Sequence, residues 1–218
     1  MQISASILAA DFANLAADVK AVLAAGADTV HFDVMDGHYV PDLTVGPLVC
    51  KALRRSGVTA PIDVHLMVAH PEDFIEPFAA AGADIITFHP ETVSDVEATL
   101  QQIKGRDMQA GLVFNPDRDV QVDPACWPLL DILMLMSVVP GKGGQSFITA
   151  TLDKIATTRN MLLQHSSTAC LAVDGGVKVN NIQQIASAGA DYFVVGSGLF
   201  AADDYVQRVQ ELRQCLLG

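Results

Sequence analysis

The chain has 218 residues, 50% of them hydrophobic, and 13 Lys and Arg against 25 Asp and Glu give it a formal charge of −12. That size and apolar content suit one substantial core in a single α/β domain, while the acidic balance argues against nucleic acid and anionic membrane as partners. Cys50, Cys126, Cys170 and Cys215 lack any Cys-x-x-Cys spacing and read as reduced thiols; with an opening, MQISASILAADF, that has no basic segment before a long apolar one, and no run of about 18 apolar residues, the expected location is the cytoplasm.

In chain order, apolar runs at residues 3–7, 29–34, 62–67, 84–88, 109–114, 132–136, 169–173 and 191–195 are strand candidates. Helical patterns occupy 12–24, 48–55, 71–80, 96–103, 152–163, 179–188 and 203–215, with only a weak segment around 119–124. The tetrapeptide Ala-Gly-Ala-Asp recurs at 25–28, 81–84 and 188–191, each time between a helical pattern and a β-rich run, as a helix-ending glycine leading into a strand would. Its gaps of 56 and 107 residues are close to two and four units of about 27, and 218 residues hold eight such units. The fold expected is therefore a (β/α)8 TIM barrel forming a single catalytic domain over residues 1–218. A doubly wound sheet is the competing architecture, but no Gly-x-Gly-x-x-Gly follows the first run.

Chemistry in such barrels gathers at the C-terminal strand ends. Here those ends carry Ser6, His31 and Asp33, His65, His89, Asn115, Ser137, Asp174 and Ser197, a ring that reads as a polar bowl. Side chains alternate along a strand, so His31, Asp33 and Met35 share one face, while Asp36 falls on the other and belongs to the closing Asp36-Gly37 turn. His31, Asp33, His65 and Asp174, aimed at one point by a closed barrel, would suit one divalent transition metal. Hydrogen-bonded structural histidines are the alternative. Gly141-Lys142-Gly143-Gly144, Asp174-Gly175-Gly176 and Gly196-Ser197-Gly198 follow the sixth, seventh and eighth runs and read as a phosphate cradle of backbone N–H groups, assisted by the helices behind them; tight βα turns are the plainer reading. Met35, Met67 and Met136 are core fillers or an apolar lid over a charged intermediate.

Across nearly its full length the chain resembles the ribulose-phosphate 3-epimerase family. The resemblance is carried by residues 4–12, 31–41, 63–68, 87–91, 136–138, 143–148 and 173–177, which include Asp63-Val64-His65-Leu66-Met67 and Val173-Asp174-Gly175-Gly176 in the right order. It implies a metal-dependent isomerase of carbohydrate metabolism, in the pentose phosphate pathway, that inverts carbon 3 of a ketose phosphate and interconverts D-ribulose 5-phosphate and D-xylulose 5-phosphate. In the family pattern His31, Asp33, His65 and Asp174 hold the metal, with Zn²⁺ or Fe²⁺ first and Co²⁺ or Mn²⁺ also compatible, and Asp33 and Asp174 are the catalytic acid-base pair. Ser6, His65, Gly141, Lys142, Gly143, Gly144, Asp174, Gly175, Gly176, Gly196 and Ser197 would bind the phosphosugar, and Met35, Met67 and Met136 would shield the intermediate. A homo-oligomer is also implied. The chemistry agrees: inverting a carbon needs a proton removed from one face and another delivered to the opposite face, so one base is insufficient.

The chain departs from the family in Val139-Pro140-Gly141-Lys142-Gly143-Gly144 for Asn-Pro-Gly-Phe-Gly-Gly, Asp42-Leu43-Thr44 for Asn-Leu-Thr, Arg118 for the Thr of Asn-Pro-x-Thr, and Gly198-Leu199 for Ala-Ile. Val139 and Lys142 leave open a ketohexose 6-phosphate such as allulose 6-phosphate. A non-catalytic phosphosugar-binding barrel has no use for the opposed carboxylates, and orotidine phosphate decarboxylase chemistry needs a lysine where Met35 stands.

Overall fold

Alternate side chains of each apolar run serve two different cores. In the computed structural model, which describes residues 1–217, the runs become β1 (Gln2–Ser6), β2 (Thr29–Met35), β3 (Ile62–Met67), β4 (Ile85–Phe88), β5 (Gln109–Phe114), β6 (Ile132–Met136), β7 (Cys170–Asp174) and β8 (Tyr192–Val195). They pair in parallel and in sequence order, and β8 pairs with β1 to close the barrel. Gly218, the last residue of the expected domain, lies outside the described residues. Outward-facing Ile3, Val30, Phe32, Val64 and Leu66 join the larger core beneath the helices. Inside the barrel, Ile85, Val113, Ile132, Met134, Ala172, Tyr192 and Val194 form an apolar cluster on one side. The other side is buried and polar, with Ser4, Thr29, His31, Asp63, His65 and Thr87. That asymmetry positions the site.

The outer helices are α1 (Leu15–Ala24), α2 (Pro47–Arg55), α3 (Glu72–Ala81), α4 (Val96–Lys104), α5 (Thr151–Gln164), α6 (Ile182–Ser187), α7 (Ser197–Phe200) and α8 (Tyr205–Leu217). They are not distributed one per strand. Between β5 and β6 the weak segment is irregular, and only a 3-10 turn at Trp127–Leu129 precedes β6. Val120 and Val122 alternate with polar residues there, and Pro124 follows, so no helical face or uninterrupted backbone ladder is available. The eighth helix is instead the one-turn α7, directly after β8.

The repeated tetrapeptide closes the opposite end of the barrel. Gly26, Gly82 and Gly189 take φ values of 110°, 92° and 121°, the left-handed region that lets the chain leave a helix and turn into a strand. The aspartates that follow each accept from the first residues of a neighbouring strand: Ile3 N–H donates to Asp28 (2.6 Å), Ile62 N–H to Asp84 (2.7 Å) and Leu171 N–H to Asp191 (2.7 Å). Arg213, Arg54 and Arg159 pair with the same three carboxylates. This end is built for stability. Among the described residues no helix is long and apolar enough to cross a membrane.

Candidate active site

Strand register brings the polar residues to one level. Ser6 of β1 lies beside His31 of β2, His31 beside Asp63 of β3, Asp33 beside His65, and Met136 of β6 beside Asp174 of β7. His31, Asp33, His65 and Asp174 each offer one ligand atom, and these atoms all fall within 4.8 Å of one another. Asp33 Oδ1 is 3.5 Å from His31 Nε2 and 3.7 Å from His65 Nδ1; Asp174 Oδ2 is 3.8 Å and 3.6 Å from the same nitrogens.

The two ring nitrogens are the diagnostic atoms. His31 Nε2 and His65 Nδ1 are buried and make no hydrogen bond, a costly state unless a ligand supplies the partner. Each ring is held from behind. His31 Nδ1–H donates to Asp63 Oδ2 at 2.7 Å, and the Tyr192 hydroxyl donates to the same oxygen at 3.0 Å. His65 Nε2 is 2.9 Å from His89 Nε2. Two imidazole nitrogens and two carboxylate oxygens, bare and convergent, fit a divalent transition metal.

Electrostatics push the two carboxyls apart. Burial would raise Asp33, but His31 and His65 overcome it and hold its carboxyl far below the usual carboxylate range. Asp174 is raised, first by burial and then by the charge of Asp33. Burial lowers the two histidines, yet neighbouring carboxylates win: Asp63 and Asp33 raise His31 well above an ordinary histidine, and Asp174 and Asp33 raise His65. His89 goes the other way, held low by burial and by His65, and is neutral.

Above the cluster lies a pocket of about 590 Å³ including its open mouth. Of the expected site residues, Ser6, Asp33, Asp174, Gly175, Gly176, Gly196 and Ser197 line it, as do residues 141–144 and all three methionines, Met35, Met67 and Met136. His31 and His65 sit beneath its floor, fully buried. Ser6 also works on the cluster itself, since its hydroxyl donates to Asp33 Oδ2 at 2.6 Å. Gly176 (φ 66°) is required by close approach: a Cβ there would lie 2.5 Å from the backbone nitrogen of Phe147. Of the helices behind these loops, α6 and α7 are only six and four residues long, whereas α5, after residues 141–144, has 14.

The polar bowl holds six of the nine strand-end residues expected, without His89, Asn115 and Ser137. His89 stands behind His65, and Asn115 donates to Tyr39 Oη (2.7 Å) and Glu91 (3.0 Å) away from the pocket. The Ser137 hydroxyl donates to the carbonyls of Asp174 and Gly175, tying β6 to the β7 turn. Asp36 sits in the turn after β2, accepting from His38, Tyr39 and Ala69 N–H groups. Asp63 and Tyr192, which hold His31, are not distinguishable in the sequence from ordinary strand residues; the register between β2 and β3 is the signal that finds Asp63.

The fold and site together define a closed (β/α)8 barrel whose polar interior converges on a metal-type donor cluster beneath a glycine-walled pocket. The profile of the family described as "Ribulose-phosphate 3 epimerase family" matches residues 2–200. The chain is 56% identical over 211 residues to the ribulose-phosphate 3-epimerase of Escherichia coli K12, covering 97% of this chain and 94% of that one. It is 54% identical over 203 residues to that of Serratia marcescens (93% and 97% covered). The barrel is also similar to solved structures of 3-hexulose-6-phosphate synthase from Salmonella typhimurium (TM-score 0.69, 19% identity, 100% and 99% covered) and orotidine 5'-phosphate decarboxylase from Pyrococcus horikoshii (0.69, 14%, all of both chains), likenesses of fold alone. This chain belongs to the ribulose-phosphate 3-epimerase family.

Proposed function

We propose that the protein epimerises carbon 3 of a ketose phosphate, interconverting D-ribulose 5-phosphate and D-xylulose 5-phosphate. The observation that carries this is the pair Asp33 and Asp174, brought from β2 and β7 to one buried cluster at the floor of the pocket. One carboxylate takes the carbon 3 proton from one face and leaves an enediolate; the other delivers a proton to the opposite face. Their opposite electrostatic environments suit a base, Asp33, working against an acid, Asp174. The Ser6 hydroxyl orients Asp33. A free aspartate, with a pKa near about 4, is a weak base for a carbon acid. A divalent ion held by His31, Asp33, His65 and Asp174 would supply Lewis-acid stabilisation of the charge on the substrate oxygens. Zn²⁺ or Fe²⁺ is the first choice for that donor set, ahead of Co²⁺ or Mn²⁺.

Met35, Met67 and Met136, all buried around the pocket, exclude water from the enediolate. The loops at residues 141–144 and 175–176, with Gly196 and Ser197, bind the phosphate. Lys142, exposed at the rim, adds a cation that the acidic chain otherwise lacks there. A longer sugar such as allulose 6-phosphate is the second reading, favoured by a separate neighbouring groove, lined by Val139, Tyr39 and Arg118, that shares Pro140 with the pocket. The protein acts in the cytoplasm as a homo-oligomer, without nucleic-acid or membrane partners. Purified chain assayed on both sugars tests the assignment: activity on ribulose 5-phosphate that is lost to a chelator and restored by Zn²⁺ or Fe²⁺ is expected, and preference for the hexulose phosphate reverses the order of the two readings.

A further inference from the structure

Behind the donor cluster runs a second buried constellation, reaching from His65 to the surface. His65 Nε2 and His89 Nε2 are 2.9 Å apart, and both rings are fully buried. The other nitrogen of His89, Nδ1, is 3.8 Å from Glu91 Oε1. That carboxylate is itself fixed, accepting from the Tyr39 hydroxyl at 2.9 Å and from Asn115 Nδ2 at 3.0 Å. The Tyr39 ring lies against the His89 ring with centroids 4.8 Å apart.

Two imidazole nitrogens can share only one proton, so one ring donates and the other accepts. If His89 donated, the His65 proton would sit on Nδ1. There it would point between Asp33 and Asp174 at 3.7 Å and 3.6 Å, too far for a hydrogen bond, and would cover the lone pair that completes the donor cluster. If His65 donates, its Nδ1 is bare and faces the cluster, and the His89 proton moves to Nδ1, on the side of Glu91. Only this arrangement leaves both ring lone pairs of the donor cluster open; the His89 Nδ1–H then faces the Glu91 carboxylate 3.8 Å away, without a direct hydrogen bond.

The geometry points to His89 as a positioning residue: it accepts the His65 Nε2–H, so that the Nδ1 of His65 is the nitrogen that gives up its proton and presents its lone pair to the cluster when an ion binds. Glu91, braced by Tyr39 and Asn115, sets a carboxylate on the side of the ring where this tautomer carries its Nδ1–H. This inference rests on the metal reading given above, and it extends the site to four residues, His89, Glu91, Tyr39 and Asn115, that lie behind the donor cluster.

The test uses the full chain with Zn²⁺ and with Co²⁺ as probes. His89→Phe fills the space but cannot accept; His89→Gln can accept through its amide oxygen. Phenylalanine is expected to weaken Zn²⁺ binding about 10- to 100-fold in chelator competition and to shift the visible absorption of the Co²⁺ form, with glutamine restoring most of both. Nitrogen-15 NMR of the metal-free wild-type chain, taken at a pH high enough that His65 is neutral, reads the tautomer directly and needs no variant to fold: His65 protonated at Nε2 and bare at Nδ1 is expected. A His65 proton on Nδ1, or a folded His89→Phe chain with wild-type Zn²⁺ affinity and Co²⁺ spectrum, overturns the inference. A wild-type chain that binds no Zn²⁺ while showing the expected tautomer removes the metal reading and leaves the role of His89 standing.

Discussion

His31 and Asp63 stand level on adjacent strands, and the His31 Nδ1–H donates to Asp63 Oδ2 at 2.7 Å with neither side chain exposed to solvent. The bond fixes the ring so that Nε2 faces Asp33 and Asp174, and the negative charge behind it makes the imidazole a better donor to a cation. Tyr192 steadies the carboxylate in turn, taking up the same oxygen from the far side of the barrel and reaching Thr29 and Ser4 as well.

Asp63→Asn keeps an oxygen for His31 but removes the charge. It is expected to cost about 10- to 100-fold in Zn²⁺ affinity, measured by chelator competition. Asp63→Ala also strands the His31 N–H in the interior, a loss of about 1–3 kcal/mol in denaturant unfolding, while the Tyr192 hydroxyl keeps Thr29 and Ser4. Wild-type Zn²⁺ affinity in Asp63→Asn would show that the bond is only structural.

Acidity of the cluster sets a pH dependence with a definite sign. His31 and His65 are raised by their carboxylate neighbours, so an incoming ion displaces protons, and Zn²⁺ affinity rises with pH through the imidazole range. In the metal-free chain a raised histidine stabilises the fold below its unfolded pKa of about 6.5, and that stability is lost as pH climbs through the folded value. The rise in Tm on adding Zn²⁺ should therefore grow across the window that runs upward from the unfolded pKa of about 6.5 to the raised folded values. A constant increment across that window would contradict the coupling.

Asp174→Asn should abolish epimerisation, by at least about 10²- to 10⁴-fold in kcat at saturating metal, because the amide can neither accept nor deliver the second proton. Its affinity for a phosphosugar should stay within a few-fold of wild type, since the loop glycines are untouched. Wild-type turnover by this variant refutes the two-base scheme.

The two ends of the phosphate cradle separate by substitution. Gly176→Ala forces a side chain into the left-handed region and against Phe147, so KM for the phosphosugar should rise and stability fall by about 1–3 kcal/mol. Lys142→Ala should raise KM several-fold at low salt with kcat little changed, and the difference should fade as salt is added. An unchanged KM for Lys142→Ala at low salt rejects a contact with phosphate.

Much of this site is legible in the sequence because alternation along a strand is strict. Once residues 29–35 form a strand, His31 and Asp33 must share the inward face, and the same logic brings in His65 and Asp174. The supporting layer is hidden for the opposite reason. Asp63 lies two residues from His65 but serves His31, 32 positions earlier, and His89 serves a ring 24 positions away. Such pairs are fixed by register between strands, which no local pattern encodes. Asn115 and Ser137 show the same limit: both end strands, yet one turns to Tyr39 and Glu91 and the other to backbone carbonyls. The missing helix before β6 was visible as a weak pattern, whereas α7 is too short for periodicity to detect.

In the proposed reaction a proton leaves and returns at carbon 3. Incubating metal-replete protein with ribulose 5-phosphate in D₂O and following the sugar by NMR tests it most directly. Deuterium at carbon 3 of both ribulose and xylulose 5-phosphate is expected, with no xylulose 5-phosphate formed by the Asp174→Asn variant. Metal-replete wild type that introduces no deuterium at carbon 3 would contradict it.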